Sequence, residues 1–351
     1  MKQFIKRGIL FLIPLVLLIV LTNYFVDPAN LFSSEFEEEL AEILINDQNA
    51  AGVYNYDERI FQKEYIQKME EKNEVAVLGS SRSLQIREEM IEGDGFFNHG
   101  VSGAVLEDYI AITQIYKEND KLFDHVILDL NPWIFNKYNM EERWRSIEEY
   151  YYSFFDRDYT DDESFMESNF GRNYGQLFSA TYFQASFETL IKGQAFKDIE
   201  ETEAESLSEP VKLSDGSLVY QRSRKNISAE DAEIEAQNYI RNGVYSLENY
   251  SELNQEDLEQ FEQLIEFYQQ EDIEITFYLA PYHPLVYDYL EDNERYHIIY
   301  QVEEYLREFA EKNDIKVVGN YSPYDLDLGP EDFHDGMHPR ESVMEDIFSD
   351  L

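Results

Sequence analysis

Cysteine is absent from this 351-residue chain. That excludes disulfides, zinc–thiolate centres and a cysteine nucleophile, and it leaves the redox compartment unread. Basic residues are scarce: 28 Lys and Arg stand against 73 Asp and Glu, a formal net charge of −45. No basic patch breaks the balance, so phosphate backbones are repelled and nucleic acid is not an expected partner. The acid is spread along the whole chain, which reads first as a solvated surface suited to a salty or alkaline medium, with a cationic partner as the other reading. Metal signatures are missing as well: there is no HExxH and no EF-hand loop, so no metal is expected. Beyond Val26 there is no second apolar run long enough to span a bilayer. Apolar and aromatic residues are not lacking. Hydrophobic residues make up 43% of the chain, with 27 Tyr and 24 Phe, so it is globular and long enough for one large domain or two smaller ones.

The N-terminus carries the sharpest local signal. Lys2, Lys6 and Arg7 form a cationic tail over 1–7, followed by the apolar run GILFLIPLVLLIVLTNYFV from Gly8 to Val26. As a helix that run is roughly 28 Å long, close to the hydrocarbon thickness of a membrane. Asp27 and the acidic stretch Glu35 to Glu39 follow it. Positive charge before the run and negative charge after it predict a cytoplasmic N-terminus, with everything after Val26 outside. The run ends in NYFVDP rather than in a small-residue cleavage site, the pattern of a retained signal-anchor rather than a cleaved signal peptide.

Residues 27–73 read as a charged helical stalk or entry segment, and 74–351 as one α/β domain with an insertion at about 141–250. Buried-type strands are expected near 75–78, 126–130, 274–279 and 315–318, with 96–98 as a weaker edge member. Amphipathic helices lie between them. The insertion is aromatic-rich and helical, with an acidic linker and a small hairpin turning at Asp215-Gly216. Apolar strands alternating with helices predict a parallel sheet covered on both faces, with sites at the C-terminal strand ends. The loops richest in Gly, Ser, Asn and Pro all follow such ends: Gly79 to Ser81, Asn98 to Gly103, Asn131-Pro132, and Pro281 to Pro284.

Two of these segments carry chemistry. A serine beginning the turn after Gly79 has its hydroxyl near free backbone N–H groups, although a strand-Gly-Ser-Ser-helix junction is by itself an ordinary N-cap. Near the C-terminus, Asp335-Gly336-Met337-His338-Pro339 places a carboxylate three residues before an imidazole. A nucleophilic serine needs a base, and the base needs a carboxylate to fix its tautomer, so one D-x-x-H loop supplies both partners. His334 is an alternative base, but the spacing favours His338. Arg82, next to the serine, is a candidate for an anionic substrate group. His283, between two prolines, is a candidate for the pocket wall or for a simple turn residue.

GSS behind the first strand, together with D-x-x-H at the far end of an α/β chain, resembles the SGNH/GDSL hydrolase superfamily. The resemblance covers roughly Val75 to Pro339 without the insertion. It implies a three-layer α/β/α flavodoxin-like sheet, Ser81 as nucleophile, and Asp335 and His338 as acid and base. It further implies Gly103, or less readily Gly100, as an oxyanion glycine. The family's Gly-x-Asn-Asp block is replaced by Asp129-Leu130-Asn131-Pro132, so Asn131 stands where an oxyanion side chain is expected. The membrane-anchored members that modify cell-envelope polymers are most similar, such as the D-alanyl transfer and alginate O-acetylation proteins. They imply a cofactor-free esterase or O-acyltransferase acting on an envelope polysaccharide or teichoic-acid-like polymer, served by a membrane acyl-donor protein. A non-catalytic domain that binds or assembles such a polymer is the alternative.

Overall fold

The computed structural model describes the backbone of residues 2–351 except 29–31, 33, 54–55, 92–94, 158–173, 192–198, 206 and 350. Side chains are described from residue 13 onward with the same exceptions. Its strands are β1 (Asn49–Ala51), β2 (Val75–Leu78), β3 (Phe96–Asn98), β4 (His125–Asp129), β5 (Glu200–Thr202), β6 (Val211–Lys212), β7 (Leu218–Val219), β8 (Glu274–Leu279) and β9 (Lys316–Gly319).

The main sheet has five strands in the order β3-β2-β4-β8-β9, and every neighbouring pair is parallel. The segment 96–98 is indeed an edge strand. Side chains alternate between two apolar layers, as the strand period requires. Ala76, Leu78, Phe97, Val126, Leu128, Phe277 and Leu279 face the larger core. Val75, Val77, Phe96, Ile127 and Tyr278 face a smaller one, closed by Met344 and Phe348 of the helix Glu341–Phe348. Burial on both faces explains why these strands read as continuous apolar runs.

Of the two readings of residues 27–73, the packing of residues 35–68 fits an entry segment. The helices Glu35–Ile45 and Glu58–Lys68 pack on one another and enter the larger core through Leu40, Ala41, Leu44, Phe61 and Ile66. A buried Arg59–Asp108 pair, 2.9 Å apart, ties the second of them to the helix Leu106–Glu118. Their charged outer faces hid a narrow apolar stripe.

The insertion builds a second, antiparallel sheet in the order β5-β1-β6-β7, borrowing β1 from the entry segment. The expected hairpin is β6–β7. Its turn is held by Leu213 N–H to the Ser217 carbonyl at 2.9 Å, and Gly216 takes a φ of +79° that suits glycine. This hairpin docks beside the main sheet: Asn98 N–H reaches the Asp215 carbonyl at 2.8 Å, and Leu218 N–H reaches the Leu84 carbonyl at 2.7 Å.

A helix runs from Lys2 to Val26. Among the described residues no helix is long and apolar enough to cross a membrane. The expected span begins at Gly8, and its residues 8–12 lie outside the described side chains.

Candidate active site

Ser80 and Ser81 leave the end of β2 in opposite directions. Gly79 makes this possible, because a Cβ there would sit 2.2 Å from Ser83 Oγ and 2.6 Å from Asp129 Cβ. Ser80 is buried, and its Oγ is fully engaged. It donates to Asp129 Oδ2 at 3.0 Å and accepts from Arg82 N–H and Asn131 Nδ2, both at 3.1 Å. Ser81 faces outward, its Oγ 2.9 Å from His338 Nε2. These two side chains lie 257 positions apart in the chain.

His338 Nδ1 lies 2.9 Å from both Asp335 oxygens. A carboxylate so placed holds the proton on Nδ1, leaving the Nε2 lone pair facing the Ser81 hydroxyl. Burial alone would raise the Asp335 pKa. The facing His338, the Arg224 charge and the Met337 N–H instead hold it well below the usual carboxylate range, so it is ionised. The loop is rigid: Phe333 and Pro339 form a β-bridge, and Asp335 Oδ1 also accepts the N–H groups of Met337 at 2.9 Å and His338 at 3.0 Å.

Arg82, the candidate for an anionic substrate group, is turned into the protein. It is 1% exposed and binds four groups within the protein. Nε donates to the Met337 carbonyl at 2.9 Å and Nη1 to Asn131 Oδ1 at 2.9 Å. Nη2 reaches the Ala280 and Pro281 carbonyls at 2.6 and 2.8 Å. Its guanidinium also stacks over the Tyr282 ring at 4.2 Å. The loops after β2, β4 and β8 are thus joined to the D-x-x-H loop through one side chain.

Asn131 is likewise turned inward. Its amide nitrogen serves Ser80 Oγ at 3.1 Å and the Asp129 carbonyl at 3.2 Å, and its Oδ1 serves Arg82. No side-chain N–H remains for an oxyanion. Pro132, which opens the turn Pro132–Phe135, directs the chain away, and the buried Asp129–Ser80–Arg82 network absorbs the side chain. Burial raises the Asp129 pKa against the opposing pull of Arg82 and the Ser80 hydrogen bonds.

His283 is also buried rather than lining an open wall. Its Nδ1 caps the helix Pro284–Asp292 by accepting Leu285 N–H at 3.1 Å, and its own N–H holds the Gly336 carbonyl at 3.2 Å. Burial lowers its pKa, so it acts as a neutral cap. His334 points away from Ser81 towards the Arg224 carbonyl, 3.1 Å from its Nδ1, and its pKa is pushed down to about 4, chiefly by burial.

Gly103 sits in the loop after β3, which is tied to the serine loop by Val101 N–H on the Gly79 carbonyl at 2.9 Å. Its φ is +62°. The Gly100 amide is occupied by Asn98 Oδ1 at 2.8 Å, whereas the Ser81 and Gly103 amides have no hydrogen-bond partner among the described residues.

Arg224 was not anticipated. It comes from the insertion, and its Nη2 lies 2.7 Å from Asp335 Oδ2 and 3.3 Å from His338 Nδ1. Tyr220 stacks on its guanidinium at 4.2 Å and stands edge-on to His338. The available signal was RSRK at 222–225, a dense basic cluster in a strongly acidic chain. Among the described residues no group of three His, Asp or Glu side chains is placed to hold a metal ion. Comparison with family models and with curated proteins finds no match for the chain.

Proposed function

We propose that this chain is a serine esterase or O-acyltransferase of SGNH type, held on the outer face of the cell membrane by its N-terminal helix. In this reading it acts on an envelope glycan or teichoic-acid-like polymer. The observation that carries it is the Ser81–His338–Asp335 line, closed at 2.9 Å on each side of the imidazole. Two supporting features are the flavodoxin-like strand order, 2-1-3-4-5 along the main sheet, and the site's place at the C-terminal strand ends.

The chemistry follows from those positions. His338 Nε2 takes the Ser81 proton as Oγ attacks an acyl carbonyl, and Asp335 stabilises the imidazolium without taking the proton. The Ser81 and Gly103 amides are the donors for the developing oxyanion. Collapse expels the alcohol, with His338 returning the proton, and leaves an acyl-serine. Water then completes hydrolysis, or a polymer hydroxyl completes transfer. Neither half-reaction needs a cofactor. A transferase requires an acyl donor, and a membrane protein that delivers it is the partner in this reading.

The inward-turned Asn131 favours the second reading, a non-catalytic polymer-binding domain, because it leaves the oxyanion hole to backbone amides alone. A fluorophosphonate probe separates the two. The wild type should be labelled and Ser81→Ala should not. Wild-type protein that stays unlabelled while folded supports the binding domain.

A further inference from the structure

In a chain of which 29% is charged, the stretch GQLFSATYFQASFETLI from Gly175 to Ile191 holds one charged residue, Glu188. Its helix, Ala180–Ile191, packs on the C-terminal end of the N-terminal helix. Asn23, the polar interruption late in the apolar run, is fully buried there. Its Nδ2 lies 3.1, 3.0 and 3.2 Å from the carbonyls of Gln176, Leu177 and Ser179, and its Oδ1 lies 3.2 Å from Ser186 Oγ. Tyr182 O–H donates to Asp27 at 2.5 Å.

These pairs set the direction. Tyr182 meets Asp27 and Ser186 meets Asn23, so the two helices run antiparallel. The next turn of the shorter helix therefore lies beside about residue 19 of the longer one, at 1.5 Å per residue on both. The apolar side chains of that last turn are uncovered: Phe187 is 54% exposed and Ile191 70%, with Leu190 beside them, Glu188 exposed among them, and Phe178 before the helix. On the N-terminal helix, against which this one packs, Leu15, Leu17, Leu18, Leu21 and Phe25 are exposed as well. A patch of this kind on a soluble surface marks a contact. The chain as a whole carries −45 and its acidic body is repelled by anionic headgroups, so a segment poor in charge is the part suited to approach lipid. Twelve helical residues reach only about 18 Å, too short to span.

We propose that the helix Ala180–Ile191 is a second membrane-embedded element, docked on the anchor by Asn23 and immersed in the acyl chains of the outer leaflet. The proposal rests on the reading of the N-terminal helix as the membrane anchor. Because the chain lacks cysteine, single-cysteine variants can carry an environment-sensitive fluorophore in the full-length protein. Leu17→Cys reports the anchor, Ile191→Cys the proposed element, and Ile234→Cys, on the exposed face of Ala229–Arg241, serves as the water control. The protein is reconstituted in phosphatidylcholine vesicles doped with lipids spin-labelled along the acyl chain. Position 191 should emit to the blue of position 234 and be quenched nearly as strongly as position 17. Quenching at 17 with 191 behaving like 234 overturns the proposal and leaves the anchor intact. A blue shift at 191 without lipid quenching means that protein covers the helix, and also overturns it. No quenching at 17 removes the anchor reading, and this proposal with it.

Discussion

Arg82 shows how a charge next to a candidate nucleophile can be taken up within the protein. Its position beside the nucleophile suggested a substrate anion, yet the side chain is used to fix four loop segments around the serine. Removing it leaves buried carbonyls and Asn131 without their donor. Arg82→Ala should therefore cost about 3 kcal/mol or more in urea unfolding. Arg82→Lys should fail to restore probe labelling, because an ammonium cannot reproduce the planar fork. Full labelling in the lysine variant would show that charge alone suffices. Arg224 sits on the other side of Asp335 and is a third exposed. Arg224→Gln removes one charge-assisted hydrogen bond while Asp335 keeps His338, so the labelling rate should drop about tenfold with little change in unfolding midpoint. An unchanged rate would remove Arg224 from the positioning of the carboxylate. Neither role was visible in the sequence, since each depends on which loops meet in space.

At the scale of elements, legibility followed burial. The strands VAVL, HVILD and EITFYL are covered on both faces, so they stand out as apolar runs bounded by Gly, Asn or Pro. β1 is three residues and β6 and β7 two each, too short for any period to register. The helices at 35–45 and 58–68 were legible as helices. Their charged surfaces left a stalk and an entry segment both open, and only the docked structure reveals the stripe that belongs to the core. The loop after β3 was legible as a glycine loop, and its requirement at Gly103 is now specific. A Cβ there would lie 2.5 Å from Arg143 Nη2 and 2.6 Å from Tyr245 Oη, at a φ of +62°. Gly103→Ala should lower stability by about 1–3 kcal/mol and slow probe labelling by displacing the loop. Gly175→Ala, with nothing within 4 Å, should leave labelling unchanged. Equal behaviour of the two variants would remove the strain argument.

For the whole molecule, buried carboxyls and buried histidines set opposing slopes of stability against pH near neutrality, and Glu37 is a carboxyl whose share can be isolated. Glu37 is wholly buried; Oε1 accepts Asp57 N–H at 2.7 Å, while Oε2 has no partner among the described residues. Burial pushes its pKa up to about 7, against the lowering effect of the Asp57 hydrogen bond. A carboxyl whose folded pKa lies above its unfolded value stabilises the fold fully below the unfolded pKa and loses that contribution as pH rises through the folded one. Asp335 has the opposite sign, since its folded pKa is depressed; its contribution is lost only in acid, below about pH 4. Between about pH 8 and pH 5.5 Glu37 therefore contributes about 2 kcal/mol of stability gained on acidification, and Glu107, also pushed up to about 7 by burial, acts in the same direction. His99, His125, His283 and His334 act oppositely, because burial holds their folded pKa values below the usual imidazole range and the fold loses their contribution as pH falls through it. The Glu37 contribution is therefore read as a difference: Glu37→Gln, which fixes the neutral form, should be more stable than wild type at the upper pH, and its advantage should shrink on acidification. Calorimetric scans of both proteins across the range test this, and an advantage that does not vary with pH would refute the assignment to Glu37.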